Sequence, residues 1–218
     1  MAAHKKTLAL LAVCLLWLAD LGARPISTFP DLQISRSTRI VSLVPAVTEM
    51  LFAIGAGPRV VGVSSYDSFP AEVKKLPNVG ALIDPNIERI LSLKPDLVVV
   101  YASQDDLKRQ LSRAGIGVFD YRHAGLADIT STIRAVGERT GDAAGANALA
   151  GSLERGIEGV RTRVKDRPRP RTLLVFGRER LAMRGIYASG GIGFLHDMLA
   201  VAGGIGRASC RERVSECV

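Results

Sequence analysis

The stretch 86-NIERILSLKPDLVVVY-101 decides the fold. Its first half places Ile87, Ile90 and Leu91 at the spacing of a short helix with one apolar stripe. Lys94-Pro95 ends that helix, because the proline ring fixes φ and disfavours helical backbone in the residue before it. The run DLVVVY that follows is apolar at successive positions, so both faces of the strand must be covered. Such a strand belongs in the interior of a parallel sheet with helices on each side.

The same alternation extends in both directions. Upstream, RIVSLVP (39–45) reads as a strand and AVTEMLFAIGAG (46–57) as a helix with Val47, Met50, Leu51 and Ile54 on one face. RVVGVSSY (59–66) is a second strand, PAEVKKLP (70–77) a short helical turn, and Asp84 with Pro85 reads as the N-cap and first position of the helix at 86–92. Downstream, SQDDLKRQLSRAG (103–115) pairs Ser103 and Asp106 at near capping-box spacing and aligns Leu107, Leu111 and Ala114. IGVFDY (116–121) and LADITSTIRAVGERTG (126–141) complete an α/β lobe over residues 38–141.

Residues 142–166 break the alternation. Leu149, Leu153, Ile157, Val160 and Val164 recur at helical spacing with no strand between them, and at about 1.5 Å per residue these 25 residues reach about 40 Å. A helix of that length can span two lobes. RPRPR (167–171) stops it, TLLVFGRE (172–179) starts a strand, and GFLHDMLAVAGG (193–204) reads as a helix ending at Gly203 and Gly204. The expected fold is therefore α/β: two Rossmann-like α/β lobes joined by one long backbone helix, with the second lobe, 167–205, truncated.

Both ends read differently from this body. Residues 1–24 place Lys5 and Lys6 before a leucine-rich run from Leu8 to Leu18, with small residues at Gly22 and Ala23, the pattern of a secretory signal peptide cleaved near Ala23. Asp20 interrupts the run short of the length a membrane span needs. Lipidation at Cys14 is the minor alternative, since LLAVC lacks the small residue usual before a lipidated cysteine. Residues 206–218, with IGRASCRERV, match the in-frame translation of a common DNA-sequencing adapter, so the natural chain is expected to continue otherwise beyond Ile205. Without the two ends the body has no cysteine, which removes disulfides, thiolate catalysis and cysteine-held metals from consideration there. Its 23 basic and 18 acidic residues are scattered, so no nucleic-acid partner is called for.

On the segments RIVSLVPAVTEMLFAIG, VVGVSSYDSFPAEVKKLPNVG, PNIERILSLKPDLVVVY and ASGGIGFLHDMLAVAGG, the chain resembles the substrate-binding proteins of ABC importers known as helical-backbone metal receptors, over residues 38–205. SSYDSFP followed by NIERILSLKPDLVV is most similar to the cobalamin-binding branch. The resemblance implies two lobes that close slightly around a ligand in the cleft between them, and a monomer that docks on an ABC permease and meets the membrane only through it.

It also implies that Tyr66 is an aromatic ligand contact, the alternative being a strand-end tyrosine packed on its own lobe. Tyr101 stands at the carboxyl end of its strand, where open α/β sheets present ligand contacts. Pro45, in the loop after the first strand, falls at the cleft edge, although ending that strand is role enough for a proline. Arg178, after LLVFG, is a candidate for a ligand carboxylate or phosphate, against the commoner case of a solvated strand-end arginine. Glu88 has two readings. Locally it is an acid favourably placed in the first turn of a helix; by resemblance it is the surface glutamate with which the first lobe meets permease arginines.

An enzyme is not expected. SGGIGFLH lacks the third glycine of G-x-G-x-x-G and the Lys-Ser/Thr of a phosphate loop, and no G-x-S-x-G elbow occurs. His123 and His196 are the only histidines after the leader, a thin set for a bare metal ion. The expected ligand is an already chelated metal, cobalamin before ferric siderophore or haem, with no resident cofactor.

Overall fold

This computed structural model describes residues 37–122, 124–177, 187–188 and 191–206. The leader, the tail from Arg207, His123 and Arg178 lie outside the described residues.

Four strands, β1 (Ile40–Ser42), β2 (Val60–Val63), β3 (Leu97–Tyr101) and β4 (Gly117–Tyr121), form a parallel sheet in the order β2-β1-β3-β4. β3 pairs with β1 through Ile40 opposite Leu97 and with β4 through Leu97 opposite Gly117. Leu97 to Val100 are at most 1% exposed, the two-sided burial expected of the apolar run.

Helices cover both faces. On one, Ile40, Leu97 and Val99 pack against Val47 and Leu51 of α1 (Pro45–Ala53) and Ile133 and Val136 of α4 (Leu126–Thr140). On the other, Val41, Val98 and Val100 meet Ile90 of α2 (Ile87–Ser92) and Leu107 and Leu111 of α3 (Asp105–Arg113). The period of two along each strand divides its residues between these two cores. α4 ends at Gly141 in the left-handed region, φ 74°, where glycine carries no Cβ penalty.

The long helix α5 (Ala143–Val164) has 22 residues, about 33 Å at the usual rise. Its buried positions are Ala146 and Ala150, whereas Leu153 is 40% exposed and Leu149, Ile157, Val160 and Val164 are half-buried. The expected leucine-valine stripe is thus not the line of closest contact. Small residues bring α5 close to its neighbours: a Cβ on Gly137 of α4 would overlap that of Ala146, and one on Gly145 would come 2.7 Å from the carbonyl oxygen of Ile54 at the end of α1. Arg134 of α4 grips Glu154 of α5 with two hydrogen bonds, 2.7 and 2.9 Å.

Three local expectations are corrected. α2 is capped by Asn86, whose side-chain oxygen accepts the Arg89 N–H at 2.9 Å, while Asp84 and Pro85 remain in the preceding loop. Leu91 is 40% exposed, because a six-residue helix turns only Ile90 fully onto the sheet. α3 starts after Gln104 rather than at Ser103, and Ala114 is exposed at its end.

Beyond α5, β5 (Val175–Gly177) pairs antiparallel with β6 (Tyr187–Ala188), and α6 (Phe194–Val201) follows. After Gly203, φ 82°, the chain returns beside the end of the proline-arginine run as a parallel bridge, Ile205 donating to Pro170 O at 2.9 Å and accepting from Thr172 N at 3.0 Å.

Candidate functional site

In the order β2-β1-β3-β4 the chain leaves β1 first toward β2 and then crosses to β3, so winding reverses between β1 and β3. Loops at the carboxyl ends of two such strands diverge and leave a crevice, the usual ligand position in an open α/β sheet. Pro45, Tyr66 and Tyr101 all lie at this edge, following β1, following β2 and ending β3.

Their local settings differ from expectation in two places. Pro45 is the first residue of α1 and not a loop residue, a position where its missing N–H costs nothing. β2 ends at Val63, so Tyr66 stands three residues beyond the strand on a tight turn. That turn is closed by Asp67 N–H donating to Ser64 O at 3.1 Å and by Ser64 N–H donating to Asp67 Oδ2 at 2.7 Å. Tyr66 N–H donates to Ser64 Oγ at 3.2 Å, and Ser65 N–H ties the turn to Gly80 O at 2.9 Å. The Tyr66 ring at the tip is 75% exposed, so it does not pack on its own lobe.

Tyr101 is half-buried and stands edge-on to Tyr121, ring centroids 5.9 Å apart at 71°. Its N–H donates to Gln104 Oε1 at 2.9 Å, and Gln104 Nε2 donates to Leu82 O at 3.0 Å. The buried Gln104 amide therefore joins the end of β3 to the 80–86 loop, which holds Ile83 at 92% and Leu82 at 41% exposure. With Phe69, 64% exposed, Tyr66, Leu82 and Ile83 give this end of the sheet an apolar rim. An apolar surface with a few fixed polar groups is what a large ring ligand requires.

Burial raises the carboxyl of Asp67 above the usual carboxylate value, with the Glu49 charge adding to it and the Ser64 N–H and Thr48 hydroxyl opposing. The Tyr101 phenol is raised by burial and then by the Asp67 charge, and that of Tyr121 by burial and then by Tyr101. Both rings present protonated hydroxyls.

Sequence reasoning missed Asp67, Gln104, Leu82 and Ile83. The S-x-x-D spacing of Ser64 and Asp67 is a visible turn signal; the other three acquire their places only through contacts between loops. Glu88 is exposed in the first turn of α2, on the helix layer rather than at the ligand edge. Arg178 lies outside the described residues.

Two concavities among the described residues bear on the site. The larger, about 860 Å³, lies between α4, α5 and α6 and is walled by Thr130, Glu154, Ile157, Lys165 and Asp197, so it contains none of the three edge residues. The smaller, about 180 Å³, opens at the end of β4 between Tyr121, Met50, Ile129 and Phe194. It brings Phe194 of α6 beside Tyr121 at the carboxyl end of β4. Among the described residues no group of three or more metal-ligating side chains occurs, and no helix is long and apolar enough to cross a membrane.

The family model described as "Periplasmic binding protein" matches residues 40–211. An uncharacterized ABC transporter substrate-binding lipoprotein of Bacillus subtilis (strain 168) is 36% identical over 169 residues, 75% of this chain and 53% of that protein. The vitamin B12-binding protein of Yersinia pestis (strain Pestoides F) is 29% identical over 168 residues, 76% of this chain and 58% of that one. The chain thus spans a little over half the length of these relatives. Among solved structures, the periplasmic haem-binding protein of Roseiflexus sp. RS-1 in its apo form superposes with a TM-score of 0.66 at 31% identity, covering 78% of this chain and 65% of that one. These relatives are binding proteins and not enzymes.

Proposed function

This chain belongs to the periplasmic binding protein family, and from that premise we propose that it captures a chelated metal outside the cytoplasm and delivers it to an ABC permease, with cobalamin as the ligand. The observation that carries the proposal is the exposed set Tyr66, Phe69, Leu82 and Ile83 in the segment after β2, which Gln104 ties through Leu82 to the end of β3. A flat, mostly organic ligand loses the most water against such a rim. Tyr101 adds a neutral phenol that can donate to an amide or carboxylate at the ligand's edge. Arg178 is proposed to add a cation for the same purpose. Export depends on the leader, and the protein acts as a monomer whose membrane contact is through the permease alone.

A second reading, haem, is favoured by the 31% identity to the Roseiflexus protein. Haem iron has open axial positions that take His, Met, Cys or tyrosinate. Cobalamin arrives with its metal already capped and needs only the rim.

Calorimetric titration of the full chain with cyanocobalamin, haemin and a ferric siderophore tests the choice. Saturable one-to-one binding of cyanocobalamin is expected, weakened about tenfold or more by Tyr66→Ala through loss of one aromatic anchor. Saturable binding of haemin or the siderophore alone would reject the cobalamin reading.

Glu88 is proposed to meet the permease. A charge at the rim of a docking surface steers encounter more than it sets affinity. Glu88→Arg should leave cyanocobalamin binding unchanged and lower uptake into vesicles carrying the permease; unchanged uptake, or lost binding, would count against the assignment.

A further inference from the structure

We propose that Asp67 is a positioning residue of the ligand edge: its carboxylate locks the 64–67 turn that presents Tyr66. The inference rests on the ligand reading above.

The turn is built around this one carboxyl. Oδ2 accepts the Ser64 N–H at 2.7 Å, and the Asp67 N–H returns to Ser64 O at 3.1 Å, so residues 64 and 67 hold each other twice. Tyr66 is tied to the same residue through Ser64 Oγ. Oδ1, by contrast, is buried without a hydrogen-bond partner. Thr48 Oγ1 of α1 lies 2.9 Å from Ser42 Oγ and 3.2 Å from Val44 O, and the same hydroxyl opposes the rise of the Asp67 carboxyl more than the Ser64 N–H does. Among the described residues, the groups that act on Asp67 are Thr48 and Glu49 from α1, Tyr101 from β3 and the backbone of its own loop, with no cation among them. A half-buried carboxylate with one buried oxygen unsatisfied costs stability. Local violations of this kind gather where function requires them, and this one sits in the turn that presents Tyr66.

The carboxylate form makes a charge-assisted bond to Ser64 N–H, about twice as strong as the neutral form can make. Protonation should therefore loosen the turn and let Tyr66 leave the orientation in which it meets a ligand. Asp67→Asn keeps the shape and a neutral acceptor but cannot ionise, so it should behave at every pH like the acid form of the wild type.

The test has two arms on the full chain. In the first, amide resonances of Ser64 and Tyr66 are followed from about pH 8 to about pH 4. They are expected to titrate together in the wild type, with a midpoint above the usual carboxylate value, and to stay flat in Asp67→Asn. In the second, affinities for cyanocobalamin and haemin are measured over the range in which the protein stays folded. The wild type should weaken roughly fivefold to tenfold on acidification, and Asp67→Asn should hold a constant, lower affinity equal to that acid limit. Melting curves of both proteins establish that the variant is folded. Amides that do not titrate in the wild type would overturn the proposal whatever binds. So would Asp67→Asn with wild-type affinity, or with reduced affinity but an unaltered pH profile, the mark of a packing role alone. Binding of neither probe would sink the ligand reading and with it the role at a ligand edge, whereas the amide arm would still decide whether Asp67 locks the turn.

Discussion

The two ends of the first sheet are built on opposite terms. At the amino ends of the strands, charged groups are saturated with partners. Asp96, just before β3, accepts from Thr38 N at 2.7 Å and Thr38 Oγ1 at 2.8 Å, and its two oxygens share the Arg39 N–H. Arg39 in turn donates to Leu93 O and Lys94 O. Arg59, just before β2, donates to Ser37 O at 2.6 Å and Thr140 O at 2.7 Å and pairs with Asp142. At the carboxyl ends the balance reverses: Asp67 has one oxygen without a partner, and Tyr66 and Ile83 stand in solvent. One end spends its polar groups on holding the strands in register, and the other leaves bonding capacity and apolar surface for something outside the fold. The division follows from topology, since every connection at the amino end must bring a helix back into the sheet, while the carboxyl loops diverge.

The contrast breaks most visibly at Arg59. Its guanidinium is mostly buried and joins the segment before β1, the start of β2 and the end of α4, so Arg59→Met removes two carbonyl partners and one ion pair at once. Losing buried hydrogen bonds to a charged group costs about 3 kcal/mol here. Urea unfolding should show that loss as a lower midpoint with the slope unchanged. Affinity for cyanocobalamin, corrected for the folded fraction, should not move. A large affinity change without a stability change would mean that the amino end takes part in binding, and the division of labour would fail.

How far each end was legible in the sequence follows the same line. The central strand was readable because 96-DLVVVY-101 has only one way to bury both faces, and the end of α4 because only a glycine sits easily where Gly141 turns left-handed. Leu107 and Leu111 fell where their spacing placed them. The cap of α2 was misread because Asp84, Pro85 and Asn86 all satisfy the local pattern; the loop from Gly80, whose carbonyl is taken by Ser65, decides among them. The buried line of α5 was misread because the leucine-valine stripe outranks Ala146 and Ala150 in hydrophobicity, yet only small residues allow the close approach to Gly137. At the site, Tyr66, Tyr101 and Pro45 were legible from type and position. Gln104 was not, because its importance lies in a partner, Leu82, 22 residues away, that no periodicity connects, and the Ser64–Asp67 spacing marks a turn without showing that one carboxyl oxygen is buried. Exposed Leu82 and Ile83 have the composition of core residues and are distinguished only by where the loop carries them.

The smaller effect is the cost of Asp67 itself. Burial raises its carboxyl above the ordinary value, so the folded protein holds that proton more tightly than the unfolded chain does. Between the ordinary value and the raised one, the folded state binds more protons, and the contribution of this group to stability therefore falls as pH rises through that window. At neutral pH the charged form is a liability that Asp67→Asn removes, so the variant should melt higher than the wild type. As pH is lowered through the raised value the wild type recovers, and the gap should narrow to a constant below the usual carboxylate range. Titration of the other carboxylates cancels in the difference between two proteins that share them. A melting-temperature gap that stays constant from neutral to acid pH, or that widens in acid, would show that Asp67 is not held ionised at a cost. The carboxyl end would then have to be regarded as stabilised in the same way as the amino end.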